Sequence, residues 1–217
     1  MFIHRRRGII ANRRNDAKYA AILEAAIEVM SESGYHHAQI SRIAKAAGVA
    51  DGTVYLYFRN KEDILISILR QTIGRIVEIS EDELRYLKTS EEKLKAIVKL
   101  YFSELGSRQS LAMVTQVHLR QVDANIRRVI GEIMKPFYNI LDRIVEQGIQ
   151  ENKFRSTVNR RIARRMLFGT IDETVTAWVL TGGKYNLSAL TEDVVDVLLN
   201  GLCASPLYEK VEGSVLD

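Results

Sequence analysis

Residues 41–61 read SRIAKAAGVADGTVYLYFRNK, and the punctuation of this stretch sets two short helices at an angle. Ile40, Ile43, Ala44 and Ala47 recur at helical spacing and give the first helix one apolar face. Gly48 follows, a residue type that takes the left-handed backbone of a sharp turn without a Cβ clash, and Val49 plugs the corner. Asp51 and Gly52 open a second short helix carrying Thr53, Val54, Tyr55, Leu56 and Tyr57, and Arg59-Asn60 breaks it. Two such helices across a glycine turn are helix-turn-helix geometry, in which the second helix is expected in a DNA major groove.

Working outward, a first helix is expected upstream from an N-cap at Asp16. Tyr19, Ile22, Leu23, Ala26, Ile27 and Met30 form its apolar stripe, and Gly34 ends it. Before it, residues 1–15 carry Arg5, Arg6, Arg7, Arg13 and Arg14. They read as a flexible basic arm, either a solvated tail or a segment that follows DNA phosphates. Downstream, Ile64, Leu65, Ile68, Leu69, Ile73, Ile76 and Val77 predict one long helix from Asn60 to about Lys88, with no Pro/Gly-rich linker after the turn motif. A lever between the two halves is the natural reading.

Further helices follow. One begins at a cap at Ser90 and presents Leu94, Ile97, Val98, Tyr101, Phe102 and Leu105 before Gly106; the next carries Leu111, Val114, Val117 and His118. A third run from Ile126 to Ile149 contains Pro136, which predicts a kink or a break. The last two run from Asn159 to about Thr181 and from Leu190 to about Leu202. Their apolar positions exceed what one inner face needs, and Gly169 and Gly201 would let helices approach closely. The fold class is therefore all-α, with a three-helix DNA-binding unit at 16–60, a helical ligand-binding and dimerisation unit at 61–205, about nine helices in all, and a tail at 206–217.

Composition agrees. The 217 residues are 47% hydrophobic with a formal net charge of +4, enough for a sizeable core. Residues 1–63 hold ten Lys/Arg against seven Asp/Glu, and the remainder 21 against 20. The excess positive charge sits with the turn motif, as phosphate neutralisation requires. Cys203 is the only cysteine, which excludes an intrachain disulfide and a Cys-based zinc site and suits a reducing cytoplasm. No membrane span or secretory leader is expected. His4, His36, His37 and His118 lack metal-site spacing, and no metal or cofactor is expected. Gly182-Gly183-Lys184 lacks the strand and spaced glycine of a phosphate loop. Asp172 and Glu173 lie about 100° apart on a helix, so they are expected to pair with arginines rather than share a substrate. Arg120, Arg127 and Arg128 around the start of one helix, and Arg160, Arg161, Arg164 and Arg165 opening the next, oppose the macrodipole, so a compensating anion is expected: a protein carboxylate for most of them, or a bound phosphate.

These residues also carry a resemblance. Gly34-Tyr35, Ile43-Ala44, Ala47-Gly48-Val49, Gly52-Thr53-Val54-Tyr55, Tyr57-Phe58 and Lys61-Glu62-Asp63-Ile64-Leu65 resemble the N-terminal signature of the TetR family of bacterial transcriptional regulators. Two positions depart from it: Ala38 stands where a threonine is frequent and Ala50 where a serine commonly precedes the recognition helix. Each departure loses a cap worth about 1 kcal/mol, with Asp51 a substitute. VTQVHLRQ at 114–121, FYNILDRIVEQGIQ at 137–150 and RMLFGTIDETVTAWV at 165–179 are similar to the FadR repressors of fatty-acid degradation within that family.

The resemblance implies double-stranded DNA with a pseudopalindromic operator as partner, a homodimer, and a long-chain acyl-CoA effector that releases the repressor. DNA contacts would fall to Gln39, Ser41, Arg42, Gly52, Thr53, Tyr55, Tyr57 and Lys61, the last two on phosphates. The effector would meet Leu69, Ile73, Tyr101, Phe102, Leu105, Met113, Arg120, Phe137, Leu141, Phe168, Ile171 and Trp178. The dimer face would use Met166, Gly169, Val175, Val194, Val197, Leu198 and Gly201. Alternatives are a regulator of a drug efflux pump that senses lipophilic compounds and, from another class, an acyl-CoA carrier or thioesterase. The lack of a nucleophile-base pair argues against catalysis.

Overall fold

The computed structural model describes the backbone of residues 3–117 and 124–202 and the side chains of residues 16–116 and 126–200. Among the described residues it forms nine α-helices and no strand. Helix α1 (Ile3–His37) is helical from Ile3, so Asp16 lies inside it rather than capping it. Gly34 interrupts it with φ 77° and ψ 156°, where the sequence places its end.

Helices α2 (Ile40–Ala46) and α3 (Asp51–Tyr57) meet across Gly48, whose φ of +67° is the left-handed backbone its position requires. The Val49 amide donates to the Ala44 carbonyl at 3.0 Å, closing the corner. Ile43, Ala44, Val54 and Phe58 are buried in the same core as Ile22, Leu23, Ala26 and Met30 of α1. Neither α2 nor α3 has a side-chain cap; Asp51 is the first residue of α3 and does not replace the missing cap. Packing, not capping, holds this unit.

Helix α4 (Lys61–Leu84) starts on a reciprocal pair: Asn60 Oδ1 accepts from the Asp63 amide at 2.8 Å, and the Asp63 carboxylate accepts from the Arg59 amide at 3.1 Å. It stops at Leu84, short of Lys88. Helix α5 (Ser90–Gly106) is capped by Thr89 instead of Ser90: Thr89 Oγ accepts from the Glu92 amide at 3.2 Å and Glu92 accepts from the Thr89 amide at 2.9 Å. That is a capping box one residue upstream of the expected cap.

Helix α6 (Gln109–Ala112) continues as a π-helical turn, Met113–Val117. Helix α7 (Ala124–Gln150) runs through Pro136 without a break. Pro136 is exposed, while Met134, Phe137, Ile140, Leu141, Ile144 and Val145 are buried on the other side, so burial on both sides of the proline outweighs the one backbone bond it removes. Helix α8 (Arg160–Leu180) is capped by Asn159, which accepts from the Ile162 amide at 3.2 Å. After Gly182 and Gly183, both at positive φ, a 3₁₀ turn (Leu187–Leu190) takes Leu190 out of α9 (Thr191–Leu202). Helix α4 packs on α5 and α7, α7 on α8, and α9 on α5. His118, Arg120, Cys203 and the tail lie outside the described residues.

Candidate nucleic-acid interface and ligand cavity

With Val54 buried, a helix of about 100° per residue turns Gly52 and Leu56 directly away from the core and Thr53 and Tyr55 to either side. Gln39, Ser41 and Arg42 are exposed at the start of α2. The Arg42 guanidinium stands 3.8 Å from Glu32. Tyr55 is 58% exposed, so its ring is not spent on domain packing. Tyr57 is half-buried, 6.3 Å from the Tyr19 ring, while Phe58 stacks on Tyr19 at 5.0 Å. Leu56, which sequence reasoning passed over, is 82% exposed.

Lys61 is placed differently from a free phosphate-reaching cation. Its Nζ donates to the His36 carbonyl at 3.0 Å and sits 4.7 Å over the Tyr35 ring, and burial lowers its pKa. The side chain ties the start of α4 to the end of α1.

In the C-terminal half, a cavity of about 300 Å³ opens between α4, α5, α7, α8 and the π-helical turn. Of the candidate ligand-binding residues, Leu69, Ile73, Tyr101, Leu105 and Phe168 line it. Phe102, Phe137, Leu141 and Ile171 are fully buried but do not line it. Phe137 forms a second layer, its ring 5.4 Å from Tyr101 and 6.1 Å from Phe168. Met113 is not in the lining, and Trp178 closes the far end of α8, where its Nε1 donates to the Tyr185 carbonyl at 2.8 Å. Helical periodicity identifies an inward face but not its depth within the core, which is why these residues and the cavity lining are not told apart in the sequence. Arg120 lies outside the described residues.

The lining also includes Thr72, Thr115, Gln116, Arg127, Ile130, Met134, Tyr138 and Asp172. Asp172 faces the cavity rather than serving only as an arginine partner. Its Oδ1 accepts from the Tyr101 hydroxyl at 3.5 Å; that hydroxyl accepts from Gln116 Nε2 at 3.2 Å, and Thr176 Oγ donates to Gln116 Oε1 at 3.4 Å. Burial first, and then the Asp172 charge, push the Tyr101 and Tyr138 phenols up. Both stay protonated, and the cavity has a polar end inside an apolar wall. Asp172 was findable, since it lies four residues after Phe168 on one helix face. Gln116 was not, because a π-helical turn carries it inward.

Two of the four arginines opening α8 meet carboxylates: Arg160 with Glu146 at 2.8 Å and Arg164 with Asp142 at 2.6 Å, Arg164 also standing 5.5 Å over Tyr138. Arg127, at the start of α7, is an exposed cation on the cavity lining.

On the outer side of α8 and α9, Val197 is 66% exposed, Met166 and Val194 are half-buried, and a side chain at Gly169 would meet open space. Val175 and Leu198 point into their own core, with 0% and 2% exposed, so they do not offer a surface to a second copy. Ile162 and Leu180, at 55% and 63%, extend the apolar face instead. Gly201 lies in the last turn of α9. Among the described residues no group of three or more potential ligands could hold a metal ion, and no helix is long and apolar enough to cross a membrane.

Comparison with known proteins gives these sites their context. Residues 22–68 match the model of the TetR family of bacterial regulatory proteins, and residues 69–201 match that of the YsiA-like C-terminal region. The chain is 48% identical over 185 residues to the fatty acid metabolism regulator protein of Bacillus subtilis, covering 85% of this chain and 95% of that relative. Among solved structures, the fatty acid degradation regulator FadR of Bacillus halodurans superposes with a TM-score of 0.82 at 46% identity, covering 85% of this chain and 96% of the other. FadR of B. subtilis in complex with stearoyl-CoA superposes with a TM-score of 0.81 at 48% identity, covering 85% and 99%. With a helix-turn-helix in front, a ligand-sized cavity behind and both halves matched along their length, this chain belongs to the TetR family of transcriptional regulators.

Proposed function

We propose that the protein is a homodimeric, cytoplasmic DNA-binding repressor of fatty-acid degradation genes that leaves its operator when a long-chain acyl-CoA occupies the cavity behind α4. The observation that carries this reading is the 48% identity, over 85% of this chain and 99% of the other, to a regulator solved with stearoyl-CoA. Residues 16–60 read DNA through Gln39, Ser41, Arg42, Gly52, Thr53, Tyr55 and Tyr57, with residues 1–15 a basic arm ahead of them. Residues 61–205 sense and dimerise. Lys61 supports the phosphate-facing surface by fixing the junction of α1 and α4.

The mechanism follows from volume. At about 300 Å³ the cavity is at the lower end of ligand sites. A long acyl chain fills it and favours a conformation in which α4 and α7 stand further apart. Only this difference in affinity between two conformations can move the equilibrium. Because α4 follows directly on the turn motif, its displacement respaces the two recognition helices of a dimer, and operator affinity falls by the same factor that DNA lowers acyl-CoA affinity.

One observation favours the rival reading of a lipophilic-cation sensor for an efflux pump: the Asp172 carboxylate at the cavity. Operator titrations with and without stearoyl-CoA, and with a lipophilic quaternary ammonium compound, separate the two. Release by stearoyl-CoA alone supports the proposal. Unchanged operator affinity with stearoyl-CoA overturns it.

A further inference from the structure

The α3 segment DGTVYLY contains no Arg, Lys, Asn or Gln. Those are the side chains that read guanine or adenine through paired hydrogen bonds in the major groove. The helix that the fold presents to DNA therefore lacks the usual base-reading donors. Its outward face holds the bare backbone of Gly52 and, one turn later on the same line, the isobutyl group of Leu56, 82% exposed. A Cβ built on Gly52 meets nothing within 4 Å, so this line stands clear of the protein. A lone exposed leucine is ordinary on a surface. This one stands in the last turn of α3, on the outward side opposite the buried Val54.

We propose that Leu56 is a sequence-reading residue whose methyl groups pack on a thymine C5-methyl in each operator half-site. An aliphatic group has no hydrogen bond to offer, and the C5-methyl is the apolar feature of the major-groove edges. Gly52 lets the backbone sink toward the groove floor and bring Leu56 into contact, while the hydroxyls of Thr53 and Tyr55 flank it. Operator choice at this position rests on a methyl group, so cytosine, which lacks the methyl at that place, is rejected. The proposal rests on the DNA-binding reading above.

The test begins with selection of high-affinity duplexes from a random double-stranded library by the full-length protein. Each thymine of the selected half-site is then replaced singly by deoxyuridine, which removes the methyl and leaves the hydrogen-bonding edge intact. The wild type is expected to lose about fourfold per half-site at one position, the equivalent of one buried methyl group. Leu56→Ala is expected to bind the selected site more weakly, to keep its affinity for random-sequence DNA, and to show no deoxyuridine effect at that position. As Leu56 is exposed, thermal unfolding of this variant should match the wild type. A deoxyuridine loss that persists in Leu56→Ala, a loss extending equally to random DNA, or a selected site with no methyl-sensitive thymine each overturns the assignment. Failure to enrich any sequence would instead overturn the DNA-binding reading beneath it.

Discussion

Phe154 folds its ring back over Gly148, so that a methyl added at Gly148 would fall on the ring. The turn between them is fixed: the amides of Lys153 and Phe154 both donate to the Gly148 carbonyl at 2.9 Å, and Asn152 takes a left-handed φ of 56°. Two effects compete in Gly148→Ala. Helix propensity favours alanine by about 1 kcal/mol, while overpacking a fully buried ring costs about 1–3 kcal/mol. Since Phe154 is only 1% exposed and has no free space to enter, the second is expected to win. Urea unfolding should show a net loss of stability, and Gly148→Ala combined with Phe154→Ala should lose less than the sum of the two. One turn on, Glu151 Oε2 accepts from the backbone amide and hydroxyl of Ser90 at 3.0 and 2.7 Å, and these bonds hold its carboxyl below the usual range. A depressed folded-state pKa stabilises the fold at pH above the unfolded value of about 4.3. That contribution disappears as pH falls through the folded value. The thermal midpoint of the wild type should therefore drop more steeply than that of Glu151→Gln below about pH 4.3. Neither residue stood out in the sequence, because the Phe154 contact depends on a turn geometry and the Ser90 contact joins two helices distant along the chain.

The helices themselves were largely readable. The apolar stripes of α4, α5 and α7 follow their buried faces because one side of each meets a common core. What the stripes do not encode is backbone irregularity. Pro136 could have broken its helix, and the π-helical turn at 113–117 has no marker in the sequence, yet it brings Thr115 and Gln116 to the cavity. Removing the proline restores an amide donor and a relaxed backbone in an exposed position, so Pro136→Ala is expected to raise unfolding free energy by up to about 3 kcal/mol. A denaturant titration measures it, and a loss of stability would mean that the helix is shaped to the proline. The segment ahead of the π-helical turn grips α1: the Arg108 guanidinium engages both oxygens of Glu24, and Ser110 Oγ donates to Glu28 at 2.9 Å. The cavity wall and the DNA-binding unit are thus joined by a second connection besides α4. As an ion pair with partners 38% and 56% exposed, Arg108–Glu24 contributes under about 1 kcal/mol to stability. Its expected effect is on coupling. Arg108→Ala should bind operator nearly as the wild type does but require more stearoyl-CoA for release, measured by operator titration at increasing effector. An unchanged effector response would leave α4 as the working lever by itself.

At the scale of the whole molecule, charge placement and a long unbroken helix divide the chain into a basic end that carries the helix-turn-helix and a larger end that holds the cavity. The sequence was less able to divide α8 and α9 between inside and outside. Val175 and Leu198 serve the core of their own chain, whereas Ile162, Leu180 and Val197 stand in solvent, and a Cβ at Gly169 would also meet open space. A helix offered to a partner is apolar on both sides, and periodicity then has no polar face from which to take its bearing. The exposed set makes a testable claim about assembly. Operator recognition needs two recognition helices held about one helical turn of DNA apart, and a subunit alone offers one. Leu180→Asp and Val197→Asp place unpaired charges on the apolar face, where each would lose solvation on association. Neither touches the cavity lining or α3, and both sites are more than half exposed, so the monomer fold should survive with helical content and cavity intact. Light scattering is expected to show a monomer for the doubly substituted protein. Affinity for a single half-site should stay near that of the wild-type subunit, and affinity for the two-half-site operator should fall to that same level. If the double variant remained a dimer with full operator affinity, the interface would have to lie elsewhere on the surface, and the outward apolar residues of α8 and α9 would need another occupant.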